Sequence, residues 1–240
     1  MRFAICTVAY NEADWIRACI LQFKTLIERH VVLVSSHPWL GDVTPDDGTA
    51  QLARDSGAEV HVQHWESESE QRNWGLALLI DYDYVLIVDA DELYSRSAIR
   101  QMLVSLEQMR DPYFRVAEMQ TYWKTRDYVC APPEAWDPPI VAVDPKRARF
   151  RMQRQVEILN GERPPAGKVP VTLHHMSWVK SDAKVREKLS TFSHARHIKP
   201  GWYENVWLRW TPDTLDMRDM APYSRDEMYA IYSPCPSLDE

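Results

Sequence analysis

The sequence predicts an α/β fold: a mostly parallel sheet flanked by helices, followed by an irregular C-terminal extension rich in Trp and Pro. Three observations carry that expectation. Strand-like and helix-like segments alternate through the first hundred residues, which is the pattern of a parallel sheet covered by helices. A short apolar run, Tyr84 to Val88, ends abruptly in Asp89-Ala90-Asp91-Glu92. Beyond Asp111 the alternation gives way to long strand-like stretches and proline pairs.

Taken in order, Arg2–Val8 reads as a buried strand. It leads into a helix carrying Trp15, Ile16, Cys19, Ile20, Phe23, Leu26 and Ile27 at helical spacing. Val31–Val34 reads as a strand, Asp47–Ser56 as a short helix and Glu59–Val62 as a strand. Ser67-Glu68-Ser69-Glu70 has the form of a capping box and opens a helix through Leu79. The run ending at Asp89 is the fourth strand, and Ser95 caps a helix with Ile99, Met102, Leu103 and Leu106 inward. Residues 113–123 alternate as a strand, 127–140 read as loop, Val169–Trp178 as a strand and Ser181–His197 as a helix. Arg147, Arg149, Arg151 and Arg154 cluster around Phe150. The organisation expected is one domain, 1–198, in two halves (1–110 and 111–198), with 199–240 packed on it as an extension.

The bulk composition narrows the function. The chain has 240 residues, 45% hydrophobic and 26% charged, with a formal net charge of −7. That balance argues against bulk nucleic-acid binding. Glycine is scarce at 7, and neither a G-x-G-x-x-G nor a P-loop pattern occurs. Cys6, Cys19, Cys130 and Cys235 are far apart with no C-x-x-C pair, which suits reduced thiols. No apolar stretch approaches the roughly 20 residues of a membrane helix. A cytoplasmic protein is the expectation.

The chemistry centres on Asp89 and Asp91. On a strand, residues two apart point the same way, roughly 6–7 Å apart. At the carboxyl end of a parallel strand they would face the edge where such sheets bind ligands. Paired carboxylates there suit a hard divalent cation, which in turn suits a diphosphate.

Four segments then line up in order: Thr7-Val8-Ala9-Tyr10-Asn11-Glu12, Asp46-Asp47-Gly48-Thr49, Glu70-Gln71-Arg72-Asn73-Trp74-Gly75-Leu76-Ala77 and Val88-Asp89-Ala90-Asp91-Glu92. Together they resemble the nucleotide-sugar half of GT-A (Rossmann-like) glycosyltransferases, particularly family 2. The resemblance covers roughly the first hundred residues. It implies that Tyr10 and Asn11 frame the base, Glu12 sits beside base or ribose, and Asp46 or Asp47 holds the uracil-type edge or ribose. Ser35 to Gly41 inserts before that segment, so the choice between the two aspartates stays open. Arg72 and Asn73, early in their helix, would receive phosphate or ribose. Asp89 would bind ribose or metal, and Asp91 would coordinate Mn²⁺ or Mg²⁺ on the diphosphate.

In the second half, Leu173-His174-His175-Met176-Ser177-Trp178-Val179-Lys180-Ser181 resembles the segment in which a histidine completes the metal shell. It implies His175 as metal ligand and Lys180 or Arg186 as the cation on the leaving diphosphate. The base that takes the acceptor's proton resembles a glutamate in an aliphatic-x-Glu context. Glu157 is the nearest match, with Asp137 and Glu118 in reserve. The implied activity is transfer of a sugar, with inversion, from a nucleotide-diphosphate sugar, by default a UDP-sugar. The acceptor is open: a glycan, a protein side chain, a lipid carrier or a modified base. The Trp-rich tail, with Trp202, Trp207 and Trp210, is expected to shape the acceptor pocket. Two other readings compete. One is a non-catalytic nucleotide-sugar binder. The other is a haloacid-dehalogenase-like phosphohydrolase with Asp89 as nucleophile, although no G-D-x-x-x-D follows.

Overall fold

A computed structural model describes residues 1–132, 138–161, 164–192, 194–223 and 227–238. The first half runs β1 (Phe3–Ala9), α1 (Ile16–Leu21), β2 (Arg29–Ser35), α2 (Thr49–Asp55), β3 (Glu59–Gln63), α3 (Glu68–Leu78), β4 (Tyr84–Ile87), β5 (Glu92–Leu93) and α4 (Arg96–Met109). The second half runs β6 (Tyr113–Trp123), β7 (Tyr128–Ala131), β8 (Ile140–Val143), β9 (Ala148–Met152), β10 (Gln155–Ile158), β11 (Gly167–Trp178), α5 (Asp182–Thr191) and β12 (Tyr229–Tyr232).

The main sheet is ordered β12-β7-β6-β8-β4-β1-β2-β3, with β11 beside β6 and β5. Strands β3, β2, β1 and β4 are parallel, as the alternation requires. Strand β8 is antiparallel to both β4 and β6, while β11 runs parallel to β6. The carboxyl ends of β1 and β4 therefore open at one edge. Residues 127–140 are not loop throughout. Strand β7 fills Tyr128–Ala131 and pairs with β6 and β12, with Val129, Cys130 and Ala131 all buried between its neighbours.

Alternation along β1 serves two cores. Ile5 packs on one face with Phe23, Tyr94 and the inward stripe of α4. Ala4, Cys6 and Val8 pack on the other with Leu76, Leu79 and the β9–β10 hairpin. Helix α3 lies so close to β1 that a Cβ on Gly75 would come within 2.3 Å of Cys6 Sγ. Its start follows the sequence: Ser67 Oγ accepts from Glu70 N at 3.2 Å, and the Glu70 carboxylate reaches back to Glu66 N at 2.8 Å. Ser95 and Ser181 cap α4 and α5 in the same way.

The C-terminal stretch is a core, not a wrap around a pocket. Trp202, Trp207 and Trp210 are buried against Trp123 and Trp178, which close β6 and β11. Ring centroids of Trp123 and Trp207 lie 5.1 Å apart, edge to face. Lys124 covers the Trp207 ring at 3.8 Å, and the Trp207 indole donates to Asp182 at 2.8 Å. None of the three tail tryptophans lines the cavity described below. The expectation that they shape the acceptor pocket is corrected on that ground: large aromatic rings gain most from full burial.

Two outcomes follow. Trp207→Ala should cost about 3–5 kcal/mol of stability, measured by urea unfolding, and truncation after Pro200 should abolish cooperative unfolding. The second concerns His30, buried on β2 beside Thr7 Oγ1 at 2.8 Å with Nδ1 finding no partner. Burial pushes its pKa down to about 3. The folded state thus stays neutral while the unfolded state takes up a proton below about pH 6.5. This contribution is fully present above that pH and falls by about 1.4 kcal/mol per unit as pH drops toward 3. Unfolding midpoints of wild type and His30→Gln, measured from pH 7 to pH 5, should converge as pH falls.

Candidate active site

The carboxylates after β4 are positioned by a turn, not by strand periodicity. Strand β4 ends at Ile87, and residues 88–91 turn into β5. Glu92 N donates to Asp89 O at 3.0 Å, and the Glu92 carboxylate takes Asp89 N at 2.9 Å. Met176 N, from β11, donates to Asp91 O at 2.8 Å. The turn is gripped from two sides.

Beneath it lies a knot of buried charges. Arg72 donates to Glu68 Oε1 at 2.7 Å and to Asp89 Oδ1 at 2.8 Å through one nitrogen. Arg154 donates to Asp89 Oδ2 at 3.2 Å, to both oxygens of Glu92, and to the carbonyls of Ile87 and Ile140, each at 2.8 Å. Burial opposes ionisation of Asp89, but the two guanidiniums outweigh it and hold its carboxyl low. For Glu92 burial prevails over Arg154 and the pKa is raised.

This geometry corrects one role. Arg72, about 1% exposed, pairs with Asp89 and Glu68 and does not line the cavity, so it is not presented to a ligand. Asp89 lines the cavity with Oδ1 taken by Arg72 and Oδ2 by Arg154. It is not a free nucleophile, as a phosphohydrolase would need.

Asp91 differs. Its Oδ1 lies 3.5 Å from His175 Nε2, and its Oδ2 lies 3.3 Å from Lys188 Nζ and 4.0 Å from Lys180 Nζ. Burial disfavours the charge, but Lys188, His175 and Lys180 overcome it, and the carboxyl sits well below its usual range. For His175 burial disfavours the cation, and Asp91 more than compensates, so its pKa is raised. Lys180, nearly buried, makes a close ion pair with Glu12. Burial still leaves the Glu12 pKa raised.

Helix α5 lies across this edge. Lys184 donates to Asp47 at 2.8 Å, and Thr49 and Ala13 N complete that carboxylate's shell. Burial works against the Asp47 charge, but those partners hold it low. Between Asp46 and Asp47, it is thus Asp47 that faces the site's lysines, as a positioning group outside the cavity lining. Asn11, at φ 51° where β1 turns toward α1, donates to Glu187 at 2.6 Å and Thr44 at 2.8 Å. Thr44 N donates to the Tyr10 hydroxyl oxygen at 2.9 Å.

These groups surround one cavity of about 950 Å³ at the carboxyl edge of the sheet. Tyr10, Asn11, Glu12, Asp89, Asp91, His175 and Lys180 all line it. Arg186 does not: it is exposed on the far face of α5, over the Tyr203 ring at 4.6 Å. Lys184 and Lys188 line the cavity instead. Glu157 is also outside. It pairs with Arg149 at 2.5 Å on the outer face of the hairpin, while its neighbour Val156 faces in. Asp137 lies outside the described residues. Glu118, the other reserve, accepts from Thr172 at 3.1 Å and is exposed. The arginine cluster is split: Arg149 turns to solvent and Arg154 goes under the site.

Among the described residues, no three His, Cys, Asp or Glu side chains converge as a metal cage. Asp91 and His175 do converge, and two protein ligands fit Mn²⁺ or Mg²⁺ when the remaining positions come from substrate phosphates and water. The Asp91 carboxylate suits either metal, while the His175 imidazole suits the softer Mn²⁺ better than Mg²⁺.

The fold is that of the GT-A nucleotide-sugar transferases. The structure of glucosyl-3-phosphoglycerate synthase from Mycobacterium tuberculosis, solved with Mn²⁺, UDP and glucosyl-3-phosphoglycerate, superposes with TM-score 0.50 over 77% of this chain and 75% of that one, at 16% identity. S. aureus TarS with UDP matches 51% of this chain and 36% of its own at TM-score 0.39, too loose a superposition to argue from. In sequence, the glycosyltransferase AglJ of Haloferax volcanii is 30% identical over 127 residues, 51% of this chain. The matched part is 40% of that curated relative's length. No family model matches the sequence.

The charge knot makes its own prediction. Arg154→Met should destabilise the protein by about 3–5 kcal/mol, because it strands the buried Glu92 carboxylate. Chemical denaturation at pH 7 checks this; a loss below about 1 kcal/mol would mean that the turn is held by its backbone bonds alone.

Proposed function

We propose that this chain is a glycosyltransferase that moves a sugar from a nucleoside-diphosphate donor, by default a UDP-sugar, to an acceptor. The observation that carries the reading is the meeting of Asp91, His175, Lys180 and Lys188 in one cavity at the carboxyl edge of β1 and β4. The Mn²⁺ and UDP in the M. tuberculosis structure of the same fold support it.

In this reading Tyr10 and Asn11 frame the nucleoside end, with Asp47 positioning Lys184. Asp91 and His175 would hold a divalent cation, which when bound supplies positive charge to the departing diphosphate. Lys180 and Lys188 add fixed charge at the same place, in a buried setting where it acts more strongly than in water. That assignment replaces Arg186 with Lys188. Asp89 remains available to a ribose hydroxyl through lone pairs its arginines do not use. Attack on the anomeric carbon from the face opposite the diphosphate gives inversion. Glu157 is not the base of this step, since it faces away from the cavity. Four free cysteines, three of them buried, suit a reducing compartment such as the cytoplasm. No helix among the described residues is long and apolar enough to cross a membrane.

The test is calorimetric titration of UDP and GDP with and without Mn²⁺. UDP should bind in a Mn²⁺-dependent way. Asp91→Asn and His175→Ala should each weaken Mn²⁺-dependent binding by about tenfold or more, on the order of 1.4 kcal/mol. Arg186→Ala should leave it unchanged. A folded protein that binds neither nucleotide would remove this reading.

A further inference from the structure

One part of the cavity lining is built differently from the donor edge. Its walls come from segments outside the four that resemble a nucleotide-sugar site. Trp39 belongs to the insertion before Asp46, while His194 and Tyr223 follow α5. The insertion is fixed against α5: Gly41, at φ 75°, packs so tightly that a Cβ would lie 2.4 Å from Ser190 O. The Trp39 indole N–H is anchored to Gln71 Oε1 at 3.0 Å, and Gln71 in turn donates to Leu33 O at 2.8 Å. Opposite, His194 and Tyr223 stack with centroids 4.6 Å apart and planes within 13°. Phe192 braces them both at about 6 Å.

Glu68, at the start of α3 and about one turn ahead of Gln71, lines the same cavity and lies near His194. Both of its bonds from Arg72 fall on Oε1. Its Oε2 has no partner among the described residues. Burial pushes the His194 pKa down, against the pull of nearby Glu68, so this imidazole is neutral at pH 7. A neutral imidazole both donates and accepts. The place thus offers aromatic faces, one carboxylate oxygen and one neutral imidazole, with Glu68 held by its ion pair to Arg72.

We propose that Trp39, Glu68, His194 and Tyr223 form a subsite for the pyranose ring of a neutral sugar, and that this ring belongs to the acceptor. The proposal rests on the transferase reading for the word acceptor, but not for the binding. Apolar ring faces pack on aromatics, while vicinal hydroxyls donate to a carboxylate. An anionic acceptor is disfavoured by Glu68. A nucleobase would use the stacked rings but leave the carboxylate oxygen unpaired.

The experiment is saturation-transfer NMR with the methyl glycosides of glucose, galactose, mannose and N-acetylglucosamine, on wild type, Trp39→Ala and Tyr223→Ala. Folding is checked by circular dichroism and UDP binding by calorimetry. At least one glycoside should receive saturation in wild type, and its affinity should fall about tenfold in each folded variant. UDP affinity should stay within about twofold, and saturating UDP should not displace the glycoside. Three outcomes would overturn the subsite: no glycoside saturated, saturation unchanged in the variants, or glycoside displaced by UDP. Preferential saturation of free nucleosides at the same rings would overturn it too. Glycoside binding lost in the variants, with no UDP binding in wild type, would keep the subsite and remove the transferase reading instead.

Discussion

The turn that carries Asp89, Asp91 and Glu92 depends on Arg154. Its guanidinium reaches Ile87 O at the end of β4 and Ile140 O at the start of β8, then closes on Glu92 and Asp89 in the turn. Two segments far apart in sequence, the β4 turn and the start of β8, are tied to one planar cation, a task its five fixed donors suit and a lysine would not. Arg72 adds a second tie from α3. Two cations and three carboxylates, counting Glu68, share this buried space. Charges out of water are tolerated only when paired and hydrogen-bonded. The knot therefore does not add much net stability, but it fixes one arrangement of the turn. Asp91, at the next position but one, inherits that rigidity.

The edge above the knot carries a second, more accessible layer of charge. Lys180, Lys184 and Lys188 recur every four residues and so share one face, Lys180 just ahead of α5 and the others on it. Their shortest carboxylate contacts are to Glu12, Asp47 and Asp91 respectively. A chain of net charge −7 thus presents cations where a diphosphate would lie. These pairs hold α5 over the sheet edge. An incoming diphosphate would compete with the carboxylates for the same ammonium groups, so α5 is both the wall of the site and the element most sensitive to its occupant.

Much of the fold was legible in the sequence, because periodicity reports which faces are buried. The strands around Ile5, Val31 and Leu86 and the capped helices at Ser67, Ser95 and Ser181 lie where the pattern puts them. Asp89, Asp91, His175 and Lys180, singled out from the sequence, line one cavity. What failed was orientation. Arg186 is two residues from Lys184, hence about 200° around the helix and on the opposite face. The four-residue spacing of the lysines held that answer. Glu157 depends on the parity of β10, where a register shift between Gln155 and Val156 decides which residue faces in. Arg154 lies 62 residues from Glu92, and no local signal links them. At Asp89 the sequence shows the carboxylate and hides the two arginines that hold it.

The tail shows the same limit in reverse. Tryptophans at 202, 207 and 210 read as exposed platforms only if the ends of β6 and β11 are left out of account. Trp123 and Trp178 stand there, and five indoles close into one cluster. Strand β12 then pairs with β7 and binds the chain's last described stretch to the main sheet. The chain between cluster and strand therefore has both ends fixed, and Tyr223 lies within it. Its ring against His194 is held at the cavity by a core some residues away, much as the insertion's Trp39 is held by Gln71 and Gly41. This part of the wall is thus anchored by packing and hydrogen bonds rather than left as loop. An enzyme of this fold can hold the donor edge nearly constant and still change what it accepts, by altering an insertion and a tail whose anchors lie outside the site.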